Sequence, residues 1–210
     1  MRTREPGILR SLTQLLFGFV TAIVGTILLS WPLLYLFLKG EHLNKLVSLS
    51  VKQVMGNYND LMAYLLSPFV KTLRMRDLPT SVSAASHFYE VKNLFQLVLA
   101  IFLLLLAALI IAKYQRIDFR LDKKMALLFM VLPVVVVPFA SMNFDAFFVF
   151  FHGIFFHNSD WLFDPVTDPI INVLSENFFA SCFVMFLVLY EIYFGSFLFS
   201  TKRKSMTSEN

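Results

Sequence analysis

Apolar residues in this chain come in long unbroken runs. Ser11 to Leu38 is 28 residues without a charge, Asn93 to Ala112 is 20 and Met125 to Phe144 is 20, while Asn177 to Thr201 runs 25 residues interrupted only by Glu191. A hydrocarbon core of roughly 30 Å is crossed by about 20 apolar helical residues. The pattern therefore predicts four transmembrane helices, at 12–38, 93–112, 125–144 and 178–199, in an all-α integral membrane protein. No repeat, low-complexity tract or linker divides residues 1–210, which read as a single membrane domain.

Polar positions gather in two segments, 39–92 and 145–177. In the first, Leu43 to Phe69 mixes Leu, Val, Met and Tyr with Lys45, Lys52, Asn57, Asn59 and Asp60, the pattern of one or two amphipathic helices lying in the membrane interface. In the second, Asp145 to Phe156 follows a run that already crosses the core, so it must kink, lie flat or re-enter, and Pro133 and Pro138 offer kink sites. His157 to Pro169 is dense in turn residues and predicts an ordered loop. Asp168 and Pro169 have the form of an N-cap and a first-turn proline opening a helix over Ile170 to Leu174.

Composition removes the soluble alternative. With 58% apolar and 15% charged residues, 25 phenylalanines and a mean hydropathy of +0.69, the chain has more apolar surface than one small core buries, so lipid is part of its solvent. Lys and Arg then set the orientation: three in 1–10, five in 113–124 and three in 202–204, against none between Asp145 and Glu176. Both termini are expected in the cytoplasm, with both polar segments outside. The seven basic residues of 39–92 dilute the rule, but they are spread over 54 positions and an even number of spans places them outside. The first apolar run is too long for a cleaved leader and no A-x-A-like site follows it, so it is expected to stay in place. A net charge of +4 without a basic and aromatic array speaks for anchoring beside anionic lipid and against a nucleic-acid partner. The lone Cys182 and only seven glycines leave no disulfide scaffold or phosphate-cradling loop.

The candidate chemistry lies in the polar segments. His87 and Glu90 share a helical face at i, i+3, so the carboxylate is placed to orient the imidazole. His152 sits among Phe147, Phe148, Phe150, Phe151, Phe155 and Phe156, seven residues after Asp145 and beside Gly153. Imidazole titrates near neutrality and suits acid–base work. His152 and His157 are five apart, about 140° around a helix, where a helical metal pair wants i, i+4, so no metal is expected. Ser86 beside His87 lacks a nucleophile elbow, and His42 reads as a solvated residue. Glu191 is expected to pair with Lys113 or Arg116, and Cys182 to pack as a small apolar residue.

These residues resemble a known family. Phe151-His152-Gly153-Ile154-Phe155-Phe156, then Trp161-Leu162-Phe163-Asp164-Pro165 and Asp168-Pro169-Ile170-Ile171, resemble the bacterial lipoprotein intramolecular transacylases, as do His87 to Phe95 and the stretch Asn57 to Leu65. The resemblance covers essentially the whole chain. It implies transfer of the sn-2 acyl chain of an S-diacylglyceryl lipoprotein cysteine to that cysteine's own α-amino group, at the outer leaflet and without a cofactor. It also implies His87 and His152 as the catalytic pair, with Tyr58, Glu90, Lys92, Trp161 and Asp164 orienting the base or holding the substrate. Diacylated lipoprotein and membrane lipid are then the partners. Two rivals stand beside it: a non-enzymatic transporter subunit or scaffold, and an outer-leaflet lipid hydrolase.

Overall fold

The computed structural model describes residues 7–199, with 135–142 described by backbone alone. Arg2, Arg4 and the basic residues 202–204, on which part of the expected orientation rests, lie outside the described residues, as does the side chain of Pro138. Six helices carry the architecture: α1 (Gly7–Gly40), α2 (Val51–Leu66), α3 (Val82–Tyr114), α4 (Lys123–Met142), α5 (Phe144–Phe155) and α6 (Glu176–Phe199). Short 3-10 turns occupy Leu43–Val47 and Pro169–Asn172. Among the described residues, α1, α3 and α6 are long and apolar enough to cross a membrane. At 33 residues, α3 is about 50 Å long at 1.5 Å per residue. Its uncharged run starts only at Asn93, so residues 82–92 form a more polar helical stalk at its N-terminal end.

Polar caps start the helices that matter for the site. At α2, Ser50 Oγ accepts the Gln53 amide at 3.3 Å while Gln53 Oε1 accepts the Ser50 amide at 3.1 Å, a reciprocal capping box. Ser81 Oγ accepts the Ala84 amide at 3.1 Å to start α3, and Asn143 Oδ1 accepts the Ala146 amide at 2.9 Å to start α5. The helix α4 is continuous through Pro133 and Pro138, and the chain turns at Asn143 instead. Asn143 is extended, with φ −156° and ψ 97°, and its side chain caps the new helix, so the break is set by a cap and not by a proline.

The long helices pack antiparallel. At one end of the bundle, buried Arg10 of α1 forms an ion pair with Asp122 at 2.9 Å, Gln14 Nε2 donates to the Phe119 carbonyl at 3.0 Å, and the Tyr193 hydroxyl of α6 donates to Gln14 Oε1. At the other end Asn177 of α6 donates to Glu41 just past α1, at 3.3 Å. Close approach of α1 and α6 depends on glycine. A Cβ on Gly18 would stand 2.6 Å from the Tyr193 ring and 2.7 Å from that of Phe194, and one on Gly25 would stand 2.8 Å from Leu189. Two apolar clusters result, one around Ala22, Leu121, Phe129, Tyr190 and Phe194, and a larger one joining α1, α2, the start of α3 and residues 170–178. Cys182 packs at the edge of the larger cluster. Glu191 departs from expectation: among the described residues no ion pair joins it to Lys113 or Arg116.

Candidate active site

The site forms where the stalk of α3 meets α5 and the loop that follows it. His87, on the second turn of α3, is 7% exposed, and His152, in the last turn of α5, is 8% exposed. Their rings lie 5.8 Å apart. Phe156, the extended residue just past α5, bridges them, with ring centroids 4.6 Å from His87 and 5.5 Å from His152. Phe163 closes on His87 at 5.6 Å, while Phe148 and Trp161 flank His152 at 4.0 and 4.7 Å. Two imidazoles from separate helices thus share one aromatic recess.

Each ring has a different polar neighbour. The Nδ1 atom of His152 is 2.8 Å from the Phe148 carbonyl oxygen. A carbonyl only accepts, so in the neutral ring the proton sits on Nδ1 and Nε2 keeps a bare lone pair. The Nδ1 atom of His87 lies 4.0 Å from Glu90 Oε2, beyond hydrogen-bond reach, and both atoms are buried without another partner. The other Glu90 oxygen accepts from Asn158 Nδ2 at 2.9 Å. Burial disfavours a charged ring, and this, with the neighbouring His152, draws the His87 pKa down from 6.5 to about 4 against a small opposing pull from Asp160. Burial lowers His152 as well, and its bond to the Phe148 carbonyl works in the other direction. Both rings are therefore neutral at pH 7.

Loop 157–168 holds this geometry. Trp161 Nε1 donates to the Asn158 carbonyl at 3.1 Å, which lays the indole over His152 at a 31° tilt. Asp168 corrects its expected role: its side chain makes no cap on the 3-10 turn 169–172, which is also shorter than the expected helix. Its carboxylate is 2% exposed and accepts the Ser81 amide at 2.6 Å, the Ser81 hydroxyl at 2.8 Å and the Thr167 hydroxyl at 2.8 Å. Ser81 is the residue that caps α3, so Asp168 latches the loop to the helix that carries His87. Proline does stand at the first position of the turn, as expected.

The other expected residues sit further out. Tyr58 is buried between Trp31 and Phe178, its hydroxyl donating to Ser30 Oγ at 2.6 Å, and burial raises its pKa so that the phenol stays protonated. Lys92 stacks its ammonium 4.2 Å from the Tyr64 ring centroid and donates to the Val70 carbonyl, tying α3 to α2 and the loop after it. Asp164 accepts the Val166 amide at 2.9 Å and shapes the loop. Among the described residues, none of the three touches either imidazole through a ring contact or hydrogen bond. Phe156 and Phe163 figure in the sequence reading as parts of apolar and family-like runs, not as contacts of the imidazoles, and Asn158 has no role in it. Phe156 had a signal, standing one helical turn after His152, whereas Phe163 and Asn158 lie in a loop whose path no periodicity records.

Fold and site together define a membrane-integral helical protein with a paired-imidazole recess beside an apolar surface. Residues 8–179 match the family described as lipoprotein intramolecular transacylase Lit, and the chain belongs to that family. It is an intramolecular acyltransferase of lipoprotein modification. No curated protein sequence matches it. An in meso structure of the membrane-integral lipoprotein intramolecular transacylase Lit from Bacillus cereus is similar at 25% identity, covering 91% of this chain and 90% of that chain with a TM-score of 0.79. Two further structures of the Bacillus cereus protein, in which one histidine is replaced by arginine or by alanine, are 24% identical over 91% of this chain. They cover 88% and 90% of those chains, with TM-scores of 0.72 and 0.71.

Proposed function

We propose that the chain moves the sn-2 acyl group of an S-diacylglyceryl cysteine, at the N-terminus of a lipoprotein, onto the α-amino group of that same cysteine. The observation that carries this reading is the meeting of two neutral imidazoles, 5.8 Å apart, in one buried recess. An α-amine has a pKa of about 7.7–8.0 and enters largely as ammonium at neutral pH. To form an amide, its nitrogen must lose two protons as the new N–C bond replaces the C–O bond to glycerol. One proton returns to the departing glycerol oxygen and the other leaves to solvent. Two imidazoles match that need. Donor and acceptor sit in one molecule, which gives a large proximity advantage once the recess holds them in attack geometry.

His87 is the first base in this reading. Its Nδ1 faces a carboxylate 4.0 Å away, which stabilises an imidazolium as it forms. His152 faces a neutral carbonyl, which fixes its tautomer and presents Nε2 for proton exchange with the glycerol oxygen or the oxyanion. Glu90 and Trp161 orient the two rings, while Tyr58, Lys92 and Asp164 support the scaffold around them. The chain acts as one membrane domain with four spans, α4 being the fourth, and both termini cytoplasmic. Helices α2 and α5 lie in the outer interface, where Phe150, Phe151, Ile154 and Phe155 are exposed to lipid.

The test is mass spectrometry of a diacylglyceryl lipopeptide with a labelled sn-2 chain, incubated with the purified protein. Movement of the label to nitrogen at unchanged mass supports transfer. Loss of acyl mass, persisting when the α-amine is blocked, overturns it in favour of hydrolysis.

A further inference from the structure

The loop residue Asn158 makes three separate contacts, and each falls on a group that bears on an imidazole. Its side-chain Oδ1 accepts the Asp160 amide at 3.0 Å, closing a tight local turn. Its Nδ2 donates to Glu90 Oε1 at 2.9 Å, across 68 residues of sequence. Its backbone oxygen accepts Trp161 Nε1 at 3.1 Å, and the Trp161 ring covers His152. The Glu90 carboxylate has Asn158 as its one hydrogen-bond partner among the described residues, with its second oxygen left facing His87 Nδ1. A glutamate side chain has several rotatable bonds, and Glu90 is about one third exposed (34%), so without a tether it is free to turn to solvent.

We propose that Asn158 is a positioning residue that holds the Glu90 carboxylate against His87, while its backbone oxygen sets the indole that lies on His152. One loop residue thereby aligns both rings of the pair. The proposal rests on the reading of His87 as the base. The charged and titratable groups bearing on His87 are Glu90 from its own helix, His152 from α5 and Asp160 from the loop. Asn158 adds none of its own, so its influence passes through Glu90.

Asn158→Asp isolates this role, because the new carboxylate still accepts the Asp160 amide and keeps the turn but replaces the donor to Glu90 with a repelling charge. A hydrogen bond to a charged group is worth roughly a ten- to hundredfold change in rate, and kcat/KM for transfer should fall by that much. In a Glu90→Ala background the same substitution should cost nothing further, since the group it positions is gone. Asn158→Ala should in addition move the acid limb of the pH–kcat/KM profile to lower pH, because His87 loses the anion that favours its protonation. An unchanged rate in Asn158→Asp, or an undiminished cost in the Glu90→Ala background, overturns the proposal. Failure of the underlying reading is told apart by His87→Ala: if that variant retains transfer, His87 is not the base. If it is inactive while Asn158→Asp is unimpaired, only the positioning role of Asn158 falls.

Discussion

Burial acts on His87 and His152 in the same direction, and that direction has a measurable consequence. Both pKa values lie below 6.5, His87 at about 4, so the neutral base form persists well into mildly acid solution. The pair that must form is neutral imidazole with a free amine. Lowering the pH protonates the imidazole, whereas raising it past about 7.7–8.0 removes in advance the first proton that the base must take, so the alkaline side brings no loss. The kcat/KM profile should therefore show an acid limb below pH 6.5 and no fall that follows the amine at higher pH. An acid limb at or above 6.5 would contradict the burial of the pair. His87→Ala and His152→Ala should each reduce transfer by about 10²–10⁴-fold, the usual yield of general acid–base help, with helical content retained by circular dichroism. His87 and Glu90 were legible as neighbours in the sequence because i, i+3 spacing on a helix fixes a shared face, whereas His152 stood out by its run of phenylalanines and the family resemblance. The meeting of the two histidines was not legible, because they are 65 residues apart in the numbering and long-range contacts such as the loop latch set their separation.

At the scale of elements, two contacts decide whether the helices arrive where the site needs them. Asp168 is nearly inaccessible and spends both oxygens on Ser81 and Thr167. Asp168→Ala removes the carboxylate that holds the part-buried Ser81 amide and two hydroxyls, and should destabilise the fold by about 1–3 kcal/mol, the scale of hydrogen bonds to a charged group. A lower Tm in detergent, with loss of transfer, is the expected result. Its local pattern, Asp before Pro ahead of an apolar run, gave the proline position correctly. The expected cap is not made because the carboxylate that could bond locally is taken by a partner 87 residues away. Helix packing offers the second test. A Cβ at Gly18 meets aromatic rings of α6 at 2.6–2.7 Å, whereas one at Gly153 meets nothing within 4 Å. Gly18→Ala should cost about 1–3 kcal/mol through overpacking, and Gly153→Ala should leave Tm equal or slightly raised. Equal losses at both positions would deny the close contact of α1 and α6. Long apolar runs made these helices readable, yet which pair approaches closest depends on glycine opposite a ring, a pairing that one sequence does not display.

For the whole molecule, orientation is the property that gives the chemistry its location. The ion pair of Arg10 with Asp122 and the bond from Tyr193 to Gln14 gather the start of α1, the 113–124 connection and the end of α6 at one end of the bundle, while the imidazole recess lies with loop 157–168 at the other. The first end carries five basic residues packed into 113–124, whereas the second carries none between Asp145 and Glu176 and seven spread thinly over 39–92. Basic connections are retained on the cytoplasmic side, so the recess should open at the outer leaflet, where a membrane-anchored lipoprotein presents its diacylglyceryl cysteine. Cys182 is the sole cysteine, which makes the matter accessible to labelling. In a Cys182→Ala background, Ser159→Cys should react with an impermeant maleimide on intact spheroplasts, and Gln115→Cys only after permeabilisation. The reverse pattern would place the histidines on the cytoplasmic face. Reaction at both positions in intact cells would mean that α3, α4 and α6 do not separate the two loops, which is incompatible with four spans.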